Sequence, residues 1–183
     1  MGNKQRPVTV EASKDSNGKI TFEMLEKGKK TGTLTFDKDK DKMKKKDNYD
    51  IHFDLVNQDG LNLEFLQDSQ NVQNVMWVAK GTATAPPACP PSQTSDPEFT
   101  VTSVTASTLD VTNTDQDQCM YKFALNFIDT GNGNKAEQFD PIYDNKNGGI
   151  NRSILSNAVV VGGLVAAACL VAIVAMERVG WLG

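Results

Sequence analysis

Ile51-His52-Phe53-Asp54-Leu55-Val56-Asn57-Gln58-Asp59-Gly60-Leu61-Asn62-Leu63-Glu64-Phe65 decides the fold, because apolar and polar residues alternate on both sides of an Asp-Gly pair. Successive side chains of a strand point to opposite faces, so Ile51, Phe53 and Leu55 share one face, as do Leu61, Leu63 and Phe65. Asp-Gly takes up the left-handed backbone of a tight turn, and between two alternating runs it predicts a hairpin. On the same pattern His52 falls on the outer side of its strand.

The two-residue period recurs in Val8-Val10, Ile20-Phe22-Met24, Leu34-Phe36, Leu109-Val111 and Tyr121-Phe123-Leu125-Phe127. Val75-Met76-Trp77-Val78 is apolar on both parities and predicts a central strand. Turn residues punctuate these runs at Asn17-Gly18, Gly131-Asn132-Gly133 and Asn147-Gly148-Gly149. About eight short strands without intervening helical periodicity predict a mainly β domain over residues 1–150. The expected architecture is an antiparallel immunoglobulin-like β-sandwich with Phe22, Phe53, Phe65, Trp77, Phe123 and Phe127 in its core. Residues 82–98 contain five prolines, which lack the donor a ladder needs. They read as an extended connection between sheets, or as the boundary between two smaller β units. Asp37 to Asp47 is almost wholly charged and reads as a protruding hairpin tip.

A different pattern follows the domain. After a polar linker at 151–157, residues Ala158 to Met176 run AVVVGGLVAAACLVAIVAM, 19 residues without a charge or a proline. As a helix they would span about 28 Å at ~1.5 Å per residue, close to the ~30 Å hydrocarbon core of a bilayer. The expectation is one C-terminal transmembrane α-helix followed by the short tail 177–183. Gly162/Ala166 and Gly163/Ala167 have the small-xxx-small spacing that lets a second transmembrane helix approach closely. The amino terminus shows no apolar run of the signal-peptide kind, so the domain is expected to stay cytoplasmic in a single-pass membrane protein.

Charge is unevenly distributed. Residues 1–47 hold 13 Lys and Arg against 8 Asp and Glu, while residues 48–183 hold 6 against 15. The halves thus carry +5 and −9, which suggests one basic and one acidic surface. Lys44, Lys45 and Lys46, within the run of lysines at 42–46, are candidates for contact with lipid headgroups. Nucleic acid is not an expected partner, since no aromatic residues interleave with the lysines and the chain is acidic overall.

Catalytic chemistry finds little support. The single histidine has no nearby nucleophile signature, and the carboxylates scatter through turns without a spacing that pairs an acid with a base. One His and separated Cys residues lack zinc-ligand spacing. Acidic turns at Asp115/Asp117 and Asp140/Asp144 are weak calcium candidates, although Asp and Asn also favour turns for local hydrogen bonding. No cofactor is expected. Cys89 and Cys119 would stabilise the domain by roughly 3–4 kcal/mol if an oxidising compartment paired them, and would remain thiols otherwise.

The stretch from Cys89 to Asn145 resembles the DP-EP family of small bacterial immunoglobulin-like β domains. The likeness rests on Cys89-Pro90, on Asp96-Pro97 followed by Phe99-Thr100-Val101, on Tyr121 to Phe127, and on Asp140-Pro141-Ile142. It covers about a third of the chain, and implies a β-sandwich with no enzyme activity and no known ligand. Taken together, the expectation is a non-enzymatic, membrane-anchored accessory or scaffold subunit, partnered by lipids and by other transmembrane proteins. The alternative is a membrane-tethered binding module for a soluble ligand or calcium.

Overall fold

The structure, a computed structural model, describes residues 3–87 and 94–146. The expected linker 151–157, the span 158–176, the tail 177–183, Gly162, Gly163, Ala166, Ala167 and Cys89 all lie outside the described residues. Among those described, no helix is long and apolar enough to cross a membrane.

The domain is mainly β, with twelve strands among the described residues: β1 (Lys4–Lys14), β2 (Ile20–Glu26), β3 (Lys29–Lys30), β4 (Thr33–Phe36), β5 (Tyr49–Asn57), β6 (Leu63–Phe65), β7 (Met76–Lys80), β8 (Phe99–Val104), β9 (Thr108–Asn113), β10 (Cys119–Asp129), β11 (Lys135–Phe139) and β12 (Ile142–Asn145). One sheet has the order β3-β2-β1-β5-β9-β8. In the other, β10 is central: β11 and β12 follow one edge end to end, β6 and β7 follow the other, and β4 adds beyond β12. Strands β11 and β12 keep one register against β10 and are separated at Pro141, whose missing N–H interrupts the ladder.

Aromatic rings join the two sheets across a single core. Phe22 of β2 stacks on Phe127 of β10 at 5.1 Å, and Phe53 of β5 meets Phe123 of β10 at 6.1 Å. Phe99 of β8 lies 4.8 Å from Tyr143 of β12, which stacks in turn on Phe123 at 3.8 Å. Phe53, Phe65, Phe123 and Phe127 are fully buried, and Phe22 packs at the margin. Each such ring pair adds ~0.5–1.5 kcal/mol to what its buried area already contributes.

Several expectations change. The sheets are mixed rather than antiparallel throughout, because β1 runs parallel to β5 and β4 runs parallel to β12. Both parallel pairs join strands separated by long connections, which remove the constraint a hairpin would impose. Trp77 is not in the core: β7 turns Met76 and Val78 inward, which sends Trp77 to the half-buried outer side. Nor is β7 central, since among the described residues it pairs with β10 alone and its far edge receives only the Val78 N–H bond to Thr94.

The Asp59-Gly60 turn forms with both residues at positive φ, +53° and +69°, yet it closes no hairpin. Strand β5 belongs to the first sheet and β6 to the second, so the turn is a corner between sheets. The Asn57 side chain replaces the missing ladder there, donating to the Leu63 carbonyl at 2.8 Å and accepting from its N–H at 3.2 Å. The proline-rich segment does join the second sheet to the first, with 88–93 outside the described residues.

Candidate functional site

The chain from Asp37 to Asn48 crosses from β4 to β5 and builds one end of the sandwich. It is not the protruding tip its composition suggests. Lys38 is only 5% exposed, and its ammonium donates to the carbonyls of Lys45 and Thr114. Met43 packs against the core, and its N–H donates to the Lys38 carbonyl at 2.8 Å. The Asp47 carboxylate accepts from the Lys44 N–H at 3.0 Å, which pins the far side of the loop.

Beneath the loop lies a half-buried ionic network. Arg6 pairs with Glu26, donates to the Thr35 carbonyl at 3.0 Å, and lies 4.9 Å over the Phe36 ring. Asp41 binds Lys4 at 2.6 Å and accepts from the Tyr49 hydroxyl at 2.9 Å. Burial pushes the Asp41 carboxyl upward, but the bonds from Lys4 and Tyr49 and the charges of Lys4 and Arg6 outweigh it and hold it low. Burial, with Asp41 beside it, raises the Tyr49 hydroxyl and keeps it protonated as a donor.

Asp115 is the least compensated member. It is 2% exposed, sits at φ +44°, and neither carboxylate oxygen meets a hydrogen-bond donor among the described residues. Burial pushes its carboxyl up to about 7, against the pull of Lys38 and with added repulsion from Glu98, Asp37 and Asp144. Lys38 is shifted down by the same burial, opposed by Asp115, Glu98 and Asp47. Glu98 has partners, accepting at 2.8 Å from both the Thr114 hydroxyl and the Gln116 N–H. Asn113 and Asn145 lock β9 to β12 by reciprocal amide bonds of 2.8 and 3.2 Å.

Burial sorts the charges of this loop by sign. Asp37, Asp41 and Asp47 are turned inward or half-covered, as is Lys38, whereas Lys40, Lys42, Lys44, Lys45 and Lys46 are exposed with Asp39 as the one exposed acid between them. None of these five lysines forms an ion pair with a described residue. The neighbouring acids are occupied, Asp117 by Lys80 and Asp144 by Lys146 at 3.2 Å. The described chain also ends here: the Lys146 N–H donates to the Phe36 carbonyl, beside the first residue of the loop.

Of the calcium candidates, Asp115 and Asp144 come within interacting range of each other. Asp115 is buried, Asp117 and Asp144 hold lysines, and Asp140 is raised by burial against the charge of Lys122. Among the described residues no group of three or more His, Cys, Asp and Glu side chains is placed to hold a metal. His52 lies on the outer face, as its parity predicts, with Nδ1 2.6 Å from Asp110 and Nε2 3.3 Å from Asp54. The Asp110 bond, more than the charge of Asp54, raises its pKa. A carboxylate at each nitrogen favours the protonated ring. At the opposite end a cavity of about 540 Å³ is bordered by Lys14, Lys19, Asp129, Lys135 and Glu137. There Lys135 pairs with Glu137 at 2.7 Å, and Asp129 accepts from the Gly131 N–H at 3.1 Å.

Arg6, Lys38, Tyr49 and Asn113 were missed by motif reading. Three of them had a signal: Arg6, Tyr49 and Asn113 share the inward parity of Val8, Ile51 and Val111, and a polar residue at a core position announces a buried partner. Among known proteins, no family model matches this sequence and no curated protein is similar to it.

Proposed function

We propose that the chain is a non-enzymatic, membrane-anchored accessory or scaffold subunit, whose β domain covers one side of a membrane complex. The observation that carries this reading is the uncharged stretch from Ala158 to Met176, long enough to cross a bilayer as one helix. Within it, Gly162/Ala166 and Gly163/Ala167 offer a close-packing face to a neighbouring transmembrane helix. The domain is read as an immunoglobulin-like sandwich of the DP-EP kind, facing the cytoplasm. The sandwich part of that reading is supported by a chain that crosses repeatedly between two packed sheets, as Greek-key sandwiches do. Calcium binding is the weaker reading, since Asp117 and Asp144 are engaged by lysines.

Extraction in mild detergent tests the proposal. The protein should co-migrate with a larger assembly, and the double variant Gly162→Leu, Ala166→Leu should separate from it. Migration as a lone chain whose melting temperature rises with calcium would replace the scaffold by a binding module.

A further inference from the structure

We infer that the end of the sandwich carrying Lys40, Lys42, Lys44, Lys45 and Lys46 docks on the anionic surface of a bilayer leaflet. The inference rests on the membrane anchor proposed above and adds which face of the domain meets the lipid. Composition alone suggests a loop of nearly balanced charge, with six lysines against four aspartates from Asp37 to Asp47. The fold unbalances it. Asp41 is bound by Lys4 and Tyr49, Asp47 caps the Lys44 N–H, and Asp37 accepts from the Lys40 N–H at 3.0 Å. Lys38 is withdrawn inside. Five exposed lysines remain against exposed Asp39 and the half-covered Asp37 and Asp41, a surface with a net excess of positive charge.

This surface is held in place rather than loosely displayed. The Lys45 carbonyl accepts from Lys38 at 2.9 Å and from Gln116 at 3.1 Å, so the lysine-bearing backbone is tied to both the loop interior and the β9–β10 connection. Fixed geometry lowers the entropy lost on binding a charged plane. An ammonium is a compact charge that needs no partner of defined shape, which suits a field of headgroup phosphates.

Where the chain leaves the domain is an independent observation. Strands β4 and β12 run parallel and end together, and Lys146 is bonded to Phe36 next to the loop. Eleven residues, 147–157, separate Lys146 from Ala158, and the chain between them reaches at most about 43 Å when fully extended. A span beginning at Ala158 therefore tethers the domain by the end that bears the lysines, within reach of the leaflet's negative potential. The opposite end carries no such excess, its exposed Lys14, Lys19 and Lys135 standing among Asp15, Asp59 and Glu137.

The full chain, reconstituted into vesicles of zwitterionic lipid or of the same lipid with one-third anionic lipid, tests this by amine labelling read by mass spectrometry. Lys42, Lys44, Lys45 and Lys46 should be labelled about fivefold more slowly on anionic vesicles, the factor a single lysine gains at such a surface. Lys14, Lys19 and Lys135 should label equally on both, and 1 M salt should erase the difference. The variant Lys44→Gln, Lys45→Gln, Lys46→Gln leaves the interior bonds intact and should abolish the protection of Lys42. Equal labelling of the loop on both vesicle types would overturn the docking while leaving the anchor standing. A chain that fails to float with either vesicle after an alkaline wash would refute the anchor and the docking with it. Equal labelling together with salt-sensitive capture by an acidic protein would assign the patch to that protein instead.

Discussion

Replacing Asp115 by Asn should change how stability depends on pH, and the structure sets both sign and size. In the folded chain the carboxyl is raised from 3.8 to about 7 by burial, whereas in the unfolded chain it returns to the ordinary aspartate value. Below pH 4 both states are protonated and the group contributes nothing to the balance. As pH rises from 4 to 7 the unfolded state releases its proton first, so folding becomes steadily less favourable. Above 7 both states are ionised and the loss is complete. A difference of about 3 pH units at 1.36 kcal/mol each gives an upper limit of about 4 kcal/mol, and relaxation of the site brings the expected value to about 2–4 kcal/mol. The pull of Lys38 is already contained in the raised value. Asn is the apt replacement, because it matches the neutral acid in shape and tolerates φ +44°. Urea unfolding of both proteins in mild detergent, from pH 4 to 8, should show similar stabilities at pH 4 and a growing advantage for Asp115→Asn toward pH 8. Parallel curves across that range would refute the burial argument.

Two further outcomes follow from other parts of the network. Arg6→Ala removes the partner of half-buried Glu26 and the cation over Phe36, and should cost about 1–3 kcal/mol in urea unfolding, below the range for a fully buried pair because Glu26 keeps some water; a loss below about 0.5 kcal/mol would mean the pair is effectively solvated. His52 is raised by its Asp110 bond, so its contribution is complete below the unfolded histidine pKa and fades as pH rises through the folded one. Asp110→Asn should lower the His52 midpoint followed by NMR and flatten the stability change between pH 6 and 8, and an unmoved midpoint would show that Asp54 alone sets it.

The strands were legible because side-chain parity is a local property of extended backbone. Ile51, Phe53 and Leu55 had to share a face whatever lay opposite, and His52 had to point away from it. Pairing was not legible in the same way. Asp59-Gly60 adopted the turn its residues favour, but whether the next strand returned beside β5 or left for β10 depended on Phe65 meeting Phe127, 5.0 Å away in the finished core. Trp77 shows the same limit: an apolar run on both parities does not say which parity the core takes.

At the candidate site, the sequence by itself determined that lysines crowd into 38–46, that an uncharged 19-residue stretch follows the domain, and that Arg6, Tyr49 and Asn113 stand at inward positions. Tertiary structure alone decided which of those charges are spent inside and which remain outside. Lys38 is buried by a carbonyl 76 residues away at Thr114, and Asp115 is raised by an interior assembled from four distant segments. Parity is set by the geometry of adjacent residues, whereas the cost of burying a charge is set by whatever the folded chain places against it.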